Sequence, residues 1–338
     1  MMTYSLSRKR FLTVAAGFLS LSAFTNQPEY KPSVCPAVIP VTVVLGDGRS
    51  VTPLSSAALE IRIHGRLATI AALDQDSTPK RVVLVLDASK EVNGEAWKIE
   101  TSLATFLAKG APSQVTLALV VLNAEVRTLG FTTPRETLKS ELADLASTRP
   151  TNAKREDNIY AGLLDGLGVF GTKQFGDAIF VFAGGSDDSG RIDAGEVQRK
   201  CIEQGVRIFG FVLGQRSLSG FYTLKPGGSA QAVSPLDPDT DEIGRLASAT
   251  GGLLAVENTR MPNVTYHLND DRLKQLQATA YRLYTHSVMP YRMQFATNAP
   301  EKPENLSIEL TKAFQVRVPN ARVLFPHQIV PCAPASAR

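Results

Sequence analysis

Asp87 and Ser89 stand two residues apart at the end of an apolar run, Val82-Val-Leu-Val-Leu86, and Glu91 follows after two more residues. Oxygen donors of this kind suit a hard divalent cation such as Mg²⁺ or Ca²⁺. A run so uniformly apolar suits a central parallel strand, because helices cover both faces of such a sheet. Polar groups at its carboxyl end then stand at the crevice where open α/β sheets bind ligands. A second candidate begins with the apolar run 179–182, followed by Gly184-Gly-Ser186-Asp187-Asp188, close to a strand-to-helix nucleophile elbow, with His267 downstream. Asp188 replaces the second glycine of G-x-S-x-G, and the four histidines offer no clear acid partnership. Both features argue against a serine hydrolase built on Ser186.

Other motifs have plainer explanations. Gly166, Gly168 and Gly171 match G-x-G-x-x-G but end a helical pattern before a strand, the reverse of a dinucleotide site, so they read as a helix stop. His64, His267, His286 and His327 lack metal-ligand spacing. Asp237, Asp239, Asp241 and Glu242 sit where a helix begins, a place the helix dipole favours for acids. Trp97 falls on a helical pattern and is expected in the core.

These candidates need a scaffold, and the pattern along the chain supplies one. Strand-like runs at 82–86, 115–122, 178–182, 206–213 and 253–256 alternate with helical patterns at 94–109, 134–146, 158–170, 194–204 and 239–250. Such alternation implies a doubly wound, mostly parallel α/β sheet. The run at 125–129 follows its predecessor too closely for a crossover and is expected as one antiparallel hairpin strand. Before this region, 36–78 reads as β, with tight turns at Gly46-Asp-Gly48 and at Gly65. After it, a helix at 270–285 and β-like runs at 288–295, 306–310 and 314–318 suggest a C-terminal segment, 268–332, that pairs with the N-terminal strands in an accessory β region. The stretch 214–238, rich in Gly, Ser and Pro, is expected as a surface insertion.

The N-terminus carries an address. Arg8-Lys-Arg10 precedes an uncharged stretch from Phe11 to Phe24, the n-region and h-region of an export signal over residues 1–26. Removing it takes the formal net charge from +4 to +1, since it holds three basic residues and no acidic one. A nearly neutral chain with no basic run argues against nucleic acid as a partner. The mature chain is therefore expected outside the cytoplasm, periplasmic or extracellular, with no transmembrane segment. Cys35 and Cys332 could form a disulfide there, while Cys201 on a helical pattern reads as a buried free thiol.

Four separated stretches resemble the bacterial secreted von Willebrand factor A-related proteins: 41–49, 82–89, Leu246 to Gly252 (L-A-S-A-T-G-G), and 275–284 with 305–318. The resemblance implies a metal-ion-dependent adhesion site with D-x-S-x-S, a threonine at a helix start and a late aspartate. Asp87 and Ser89 match it, but Glu91, Asp157 and Gly184 stand at the other three positions, with Asp187 and Asp188 just beyond. Two expectations follow. Asp87, Ser89, Glu91 and Asp157 could form a rearranged cation site, or the site is degenerate and metal-free. The substitutions favour the second, with no cofactor and no enzymatic activity. The same rim, with Gly184, Asp187 and Asp188, would bind a protein partner; the rival expectation is an assembly scaffold with an inert rim.

Overall fold

The computed structural model describes residues 34–89, 92, 94–122, 126–148, 159–184, 192–213, 242–257, 268–298 and 303–330. In chain order the elements are β1 (Val34–Val44), β2 (Leu59–Ile63), β3 (Arg66–Ala68), β4 (Ile70–Gln75), β5 (Lys80–Asp87), α1 (Gly94–Gly110), β6 (Val115–Leu122), β7 (Arg127–Leu129), α2 (Arg135–Ser147), α3 (Ile159–Phe170), β8 (Ala178–Ala183), α4 (Ala194–Gln204), β9 (Arg207–Leu213), α5 (Glu242–Ala249), β10 (Leu253–Glu257), α6 (Asp270–Val288), β11 (Tyr291–Asn298), β12 (Glu304–Leu310), α7 (Lys312–Arg317), β13 (Arg322–Leu324) and β14 (Gln328–Ile329). Among the described residues no helix is long and apolar enough to cross a membrane.

Strands β5 to β10 form one sheet in the order β10-β9-β8-β5-β6-β7. All neighbours are parallel except β7, which runs antiparallel to β6 as its hairpin partner. The two-residue period of β5 divides the helices between the faces. Val82, Leu84 and Leu86 pack with α1, α2 and α6, whereas Val83 and Val85 pack with α3, α4 and α5. Both parities are buried, which is why the run is uninterrupted. Trp97 and Cys201 are buried in these cores, as expected. Gly171, at φ +61°, follows α3 in the left-handed region and stops it.

The remaining strands come from both ends of the chain. They form two antiparallel sheets, β13-β1-β11-β4 and β14-β12-β2-β3. Ile39, Val41, Ile61, Met293, Phe295 and Ile308 share one apolar core across them. The N-terminal and C-terminal β segments therefore do pair. One element departs from expectation: 314–317 lie in helix α7 rather than a strand, and Val318 follows its last residue. Only Phe314 reaches the core while Val316 is 84% exposed, so strand alternation has nothing to bury on its second face.

A buried charge cluster joins this β layer to the parallel sheet. Asp76, in the link between β4 and β5, accepts a hydrogen bond from Lys80 Nζ and another from Thr78 Oγ1 at 2.8 Å, and Arg292 Nε of β11 lies 3.7 Å away. Burial alone would raise the Asp76 carboxyl, but the bonds from Lys80 and Thr78, with the charges of Lys80 and Arg292, hold it below its ordinary value. Arg207, fully buried at the start of β9, donates to the carbonyls of Ser287 (2.6 Å) and His286 (3.4 Å) at the end of α6. The helix dipole favours a cation there. Its guanidinium is pushed down to about 9 by burial, with the Asp76 charge opposing the fall. His286 is buried beside it, with Nε2 2.9 Å from the Gly48 carbonyl and Nδ1 2.8 Å from Ser50 Oγ. Nε2 must donate to a carbonyl, so Nδ1 accepts from the serine and the ring is neutral.

Two outcomes test this junction. Asp76→Asn leaves Lys80, only 2% exposed, without its carboxylate and should cost about 3–5 kcal/mol in denaturant unfolding. Desolvation and the neighbouring arginine charges push His286 down to about 4, against an ordinary 6.5, despite its bond to Gly48. The unfolded chain then binds a proton that the folded one refuses, so stability is present above pH 6.5 and is lost as pH falls towards 4. The loss approaches about 3 kcal/mol, and His286→Asn should flatten the pH dependence of unfolding free energy across that window.

Candidate functional site

The chain runs from β5 outward through β6 to β7, then returns to place β8, β9 and β10 on the other side of β5. The direction of winding therefore reverses between β5 and β8. The crevice at the carboxyl ends of two such strands is where open α/β sheets bind ligands. Asp87 is the last residue of β5, and Gly184 follows the last residue of β8.

Asp87 is 1% exposed and works as a latch. Its Oδ1 accepts the Ser89 N–H at 2.9 Å, the local turn that aspartate favours. Its Oδ2 accepts the Gly184 N–H at 3.2 Å, tying the end of β5 to the end of β8. The Asp87 N–H donates to Glu100 Oε2 of α1 at 3.1 Å, and the Ala88 N–H continues the sheet by donating to the Leu122 carbonyl at 2.8 Å. The chain then turns back, the Val92 N–H donating to the Ser89 carbonyl at 3.3 Å.

That turn brings Val92 against Gly184. A Cβ built on Gly184 would lie 2.3 Å from Val92 Cγ2 and 3.1 Å from Val92 Cα. Val92 is 1% exposed, so a buried methyl group stands where a side chain at 184 would begin. The late aspartate of the adhesion-site pattern has no room in this arrangement. Ser89 Oγ is buried and has no hydrogen-bond partner among the described residues. Among the described residues that hydroxyl suits a cation, whereas the Val92–Gly184 contact opposes a further ligand at position 184.

The structure thus brings together Asp87, Ser89 and Gly184. Glu91, Asp157, Ser186, Asp187, Asp188 and His267 lie outside the described residues, as do Asp237, Asp239, Asp241, Cys332 and the insertion at 214–238; nothing is described of the Cys35 side chain. Of the other histidines, His64 lies 3.6 Å from Glu304 and His327 packs on Phe325, both in the β layer. Two participants escaped the sequence reading. Glu100 is a carboxylate within the buried stripe of α1, between Trp97 and Ala104, and a charge on an apolar helical face was its signal. Val92 gave none, because its contact with Gly184 spans 92 positions of chain.

Comparison with known proteins agrees with this architecture. The sequence model of the von Willebrand factor type A domain matches residues 82–243. The chain carries a von Willebrand factor type A domain, a class that commonly serves as a protein-interaction module. Among solved structures, it is similar to an aerotolerance-related membrane protein from Bacteroides fragilis NCTC 9343, with 15% identity, 60% of this chain and 88% of that one covered, and a TM-score of 0.33. Proximal thread matrix protein 1 from the mussel byssus matches at 14% identity over 64% of this chain and 50% of that one, with a TM-score of 0.43. The human COPII-coat protein Sec24c matches at 11% identity over 76% and 44%, with a TM-score of 0.39. No curated protein matches the chain.

The Val92–Gly184 contact is testable by a double-mutant cycle. Gly184→Ala forces Val92 aside and should cost about 1–3 kcal/mol. In a Val92→Ala background the same change should cost less than half as much, read from chemical denaturation midpoints, because the obstructing methyl groups are gone. Equal costs in both backgrounds would show that the two residues do not touch.

Proposed function

We propose that this chain is an exported, non-enzymatic protein-binding module that docks its partner over the carboxyl edge of the parallel sheet without a bound cation. The observation that carries the reading is the latch: each carboxylate oxygen of Asp87 accepts a backbone N–H, one from Ser89 and one from Gly184, so the group ties together the loops that border the crevice. Val92, packed on Gly184, supports it by filling the space that a further carboxylate ligand would need. Among the described residues the crevice offers Asp87 and Ser89 Oγ, short of the six oxygens Mg²⁺ prefers. Asp87, Ser89 and Gly184 by themselves do not make a cation site. Glu91, Asp157, Asp187 and Asp188 belong in sequence to the segments that follow β5, precede α3 and follow β8, where Lys90, Lys154, Arg155 and Arg191 also stand, a mixture of signs suited to charge-paired contacts with a protein partner. Export rests on the basic and apolar pattern of residues 1–26.

Calorimetric titration with Mg²⁺, Mn²⁺ and Ca²⁺ should give no saturable heat, and partner capture should be unchanged by EDTA. Replacing Asp157, Asp187 and Asp188 together by alanine should abolish capture while leaving the melting temperature within a few degrees. Tight cation binding would overturn the metal-free latch, and undiminished capture by the triple variant would return the rim to an inert scaffold.

A further inference from the structure

At the other end of the same strands the chain encloses a second site, and we propose that it binds an amphipathic carboxylate, a single acidic head on an apolar chain. The cavity measures about 320 Å³ and lies between β1 at 36–40, the loop 173–176 that precedes β8, the end of α4, and β14. That volume is at the low end of small-molecule sites, roughly 300–1,000 Å³, and suits one short chain. Val38, Ile202, Val206 and Ile329 supply apolar wall. Val38 is 40% exposed, an apolar side chain left open on a strand that otherwise buries its neighbours Ile39 and Val41.

The polar side chains of the wall are already engaged, save one. Gln174 donates to the Pro79 carbonyl, Gln328 donates to Asn305 Oδ1, and Thr250 Oγ1 donates to the Ala247 carbonyl while accepting from the Ile208 N–H. Lys173 has no hydrogen bond or ion pair among the described residues. Its stem crosses the left-handed glycine that ends α4: a Cβ on Gly205 would lie 2.9 Å from Lys173 Cε and 3.4 Å from Nζ. Partial desolvation holds this amine below the ordinary lysine range.

Charge behind the wall has the same sign. The Lys80 stem runs directly beneath Gly176, where a Cβ would lie 2.7 Å from Lys80 Cδ, and the Arg292 guanidinium stacks 4.5 Å from the Phe175 ring centroid. With Arg207, these cations outnumber the one carboxylate they share, Asp76, whereas Arg81 and Asp177 neutralise each other. An anionic head is therefore favoured at Lys173, and an apolar body along β1 and α4. A neutral chain would give the half-open ammonium no counter-charge, and a polyanion would carry charge onto walls whose polar side chains are already engaged.

Titration calorimetry of the full chain at pH 7 with sodium octanoate and with 1-octanol tests this. Octanoate should bind saturably at one site, and 1-octanol at least tenfold more weakly. Lys173→Gln should weaken octanoate at least tenfold, and Val38→Trp, which fills the cavity from its open side, should abolish binding. Both positions are exposed, so an unchanged circular dichroism spectrum and melting temperature will show that the variants fold. Absence of saturable octanoate binding overturns the proposal. So does octanoate affinity that survives either substitution, or octanol that binds as tightly as octanoate.

Discussion

The arrangement depends on a carboxylate, Asp76, buried in the only covalent link from β4 into the parallel sheet. An isolated buried carboxylate would be costly. It persists because Lys80 and Thr78 on its own segment donate to it and Arg292 of β11 approaches from the β layer. Each partner comes from an element that must be placed before the charge is compensated. The cluster thus ties the start of β5 to β11 across the two sheets, and Arg207 extends the same constraint to the end of α6 by holding its carbonyls. Buried ion pairs add little net stability over apolar packing but penalise wrong pairings heavily. Here they specify how two separately cored layers meet.

The rim at the opposite end uses a carboxylate in a related way. Asp87 stands where winding reverses, the position from which α/β sheets present ligands, yet its oxygens bind the backbone of the two loops that border the crevice. In that role the aspartate organises the surface and does not offer itself to a partner. Gly184 is needed for the same reason: with no Cβ, it lets Val92 close over the latch.

How much of this could be read beforehand depends on the range of the interactions. The run 82–86 announced a strand buried on both faces, and its alternation with helical patterns gave the doubly wound sheet, because both signals are local periodicities. The hairpin strand β7 and the stop at Gly171 were readable from short spacings. The three-residue strands β3 and β13 and the two-residue β14 were not, since they exist only through partners far along the chain. The helix α7 was misread because Phe314, Val316 and Val318 alternate, although only the first has a core to enter. At the site, Asp87 and Ser89 were identified by type and spacing, but their roles were not. Whether an aspartate binds an ion or a backbone N–H is decided by what faces it, and Gly184 and Val92 approach from other parts of the chain.

The two ends of the sheet are physically separable, which bears on how the chain can act. Both junctions between the β layer and the parallel sheet, β4 into β5 and α6 into β11, lie at the end where β5 and β9 begin. The β layer therefore occupies the amino-terminal edge, builds the cavity there together with α4 and the loop before β8, and leaves the carboxyl edge at Asp87 and Gly184 uncovered by any of its described strands. A partner at the rim and a small acid in the cavity would contact opposite ends of β8, whose six residues are all buried. A strand packed that closely on both faces transmits displacement better than it absorbs it. Val181 and Phe182 lie between Lys173 and Gly184 in sequence and sit in opposite cores, so a shift of β8 driven from the cavity would have to move both helical layers at once.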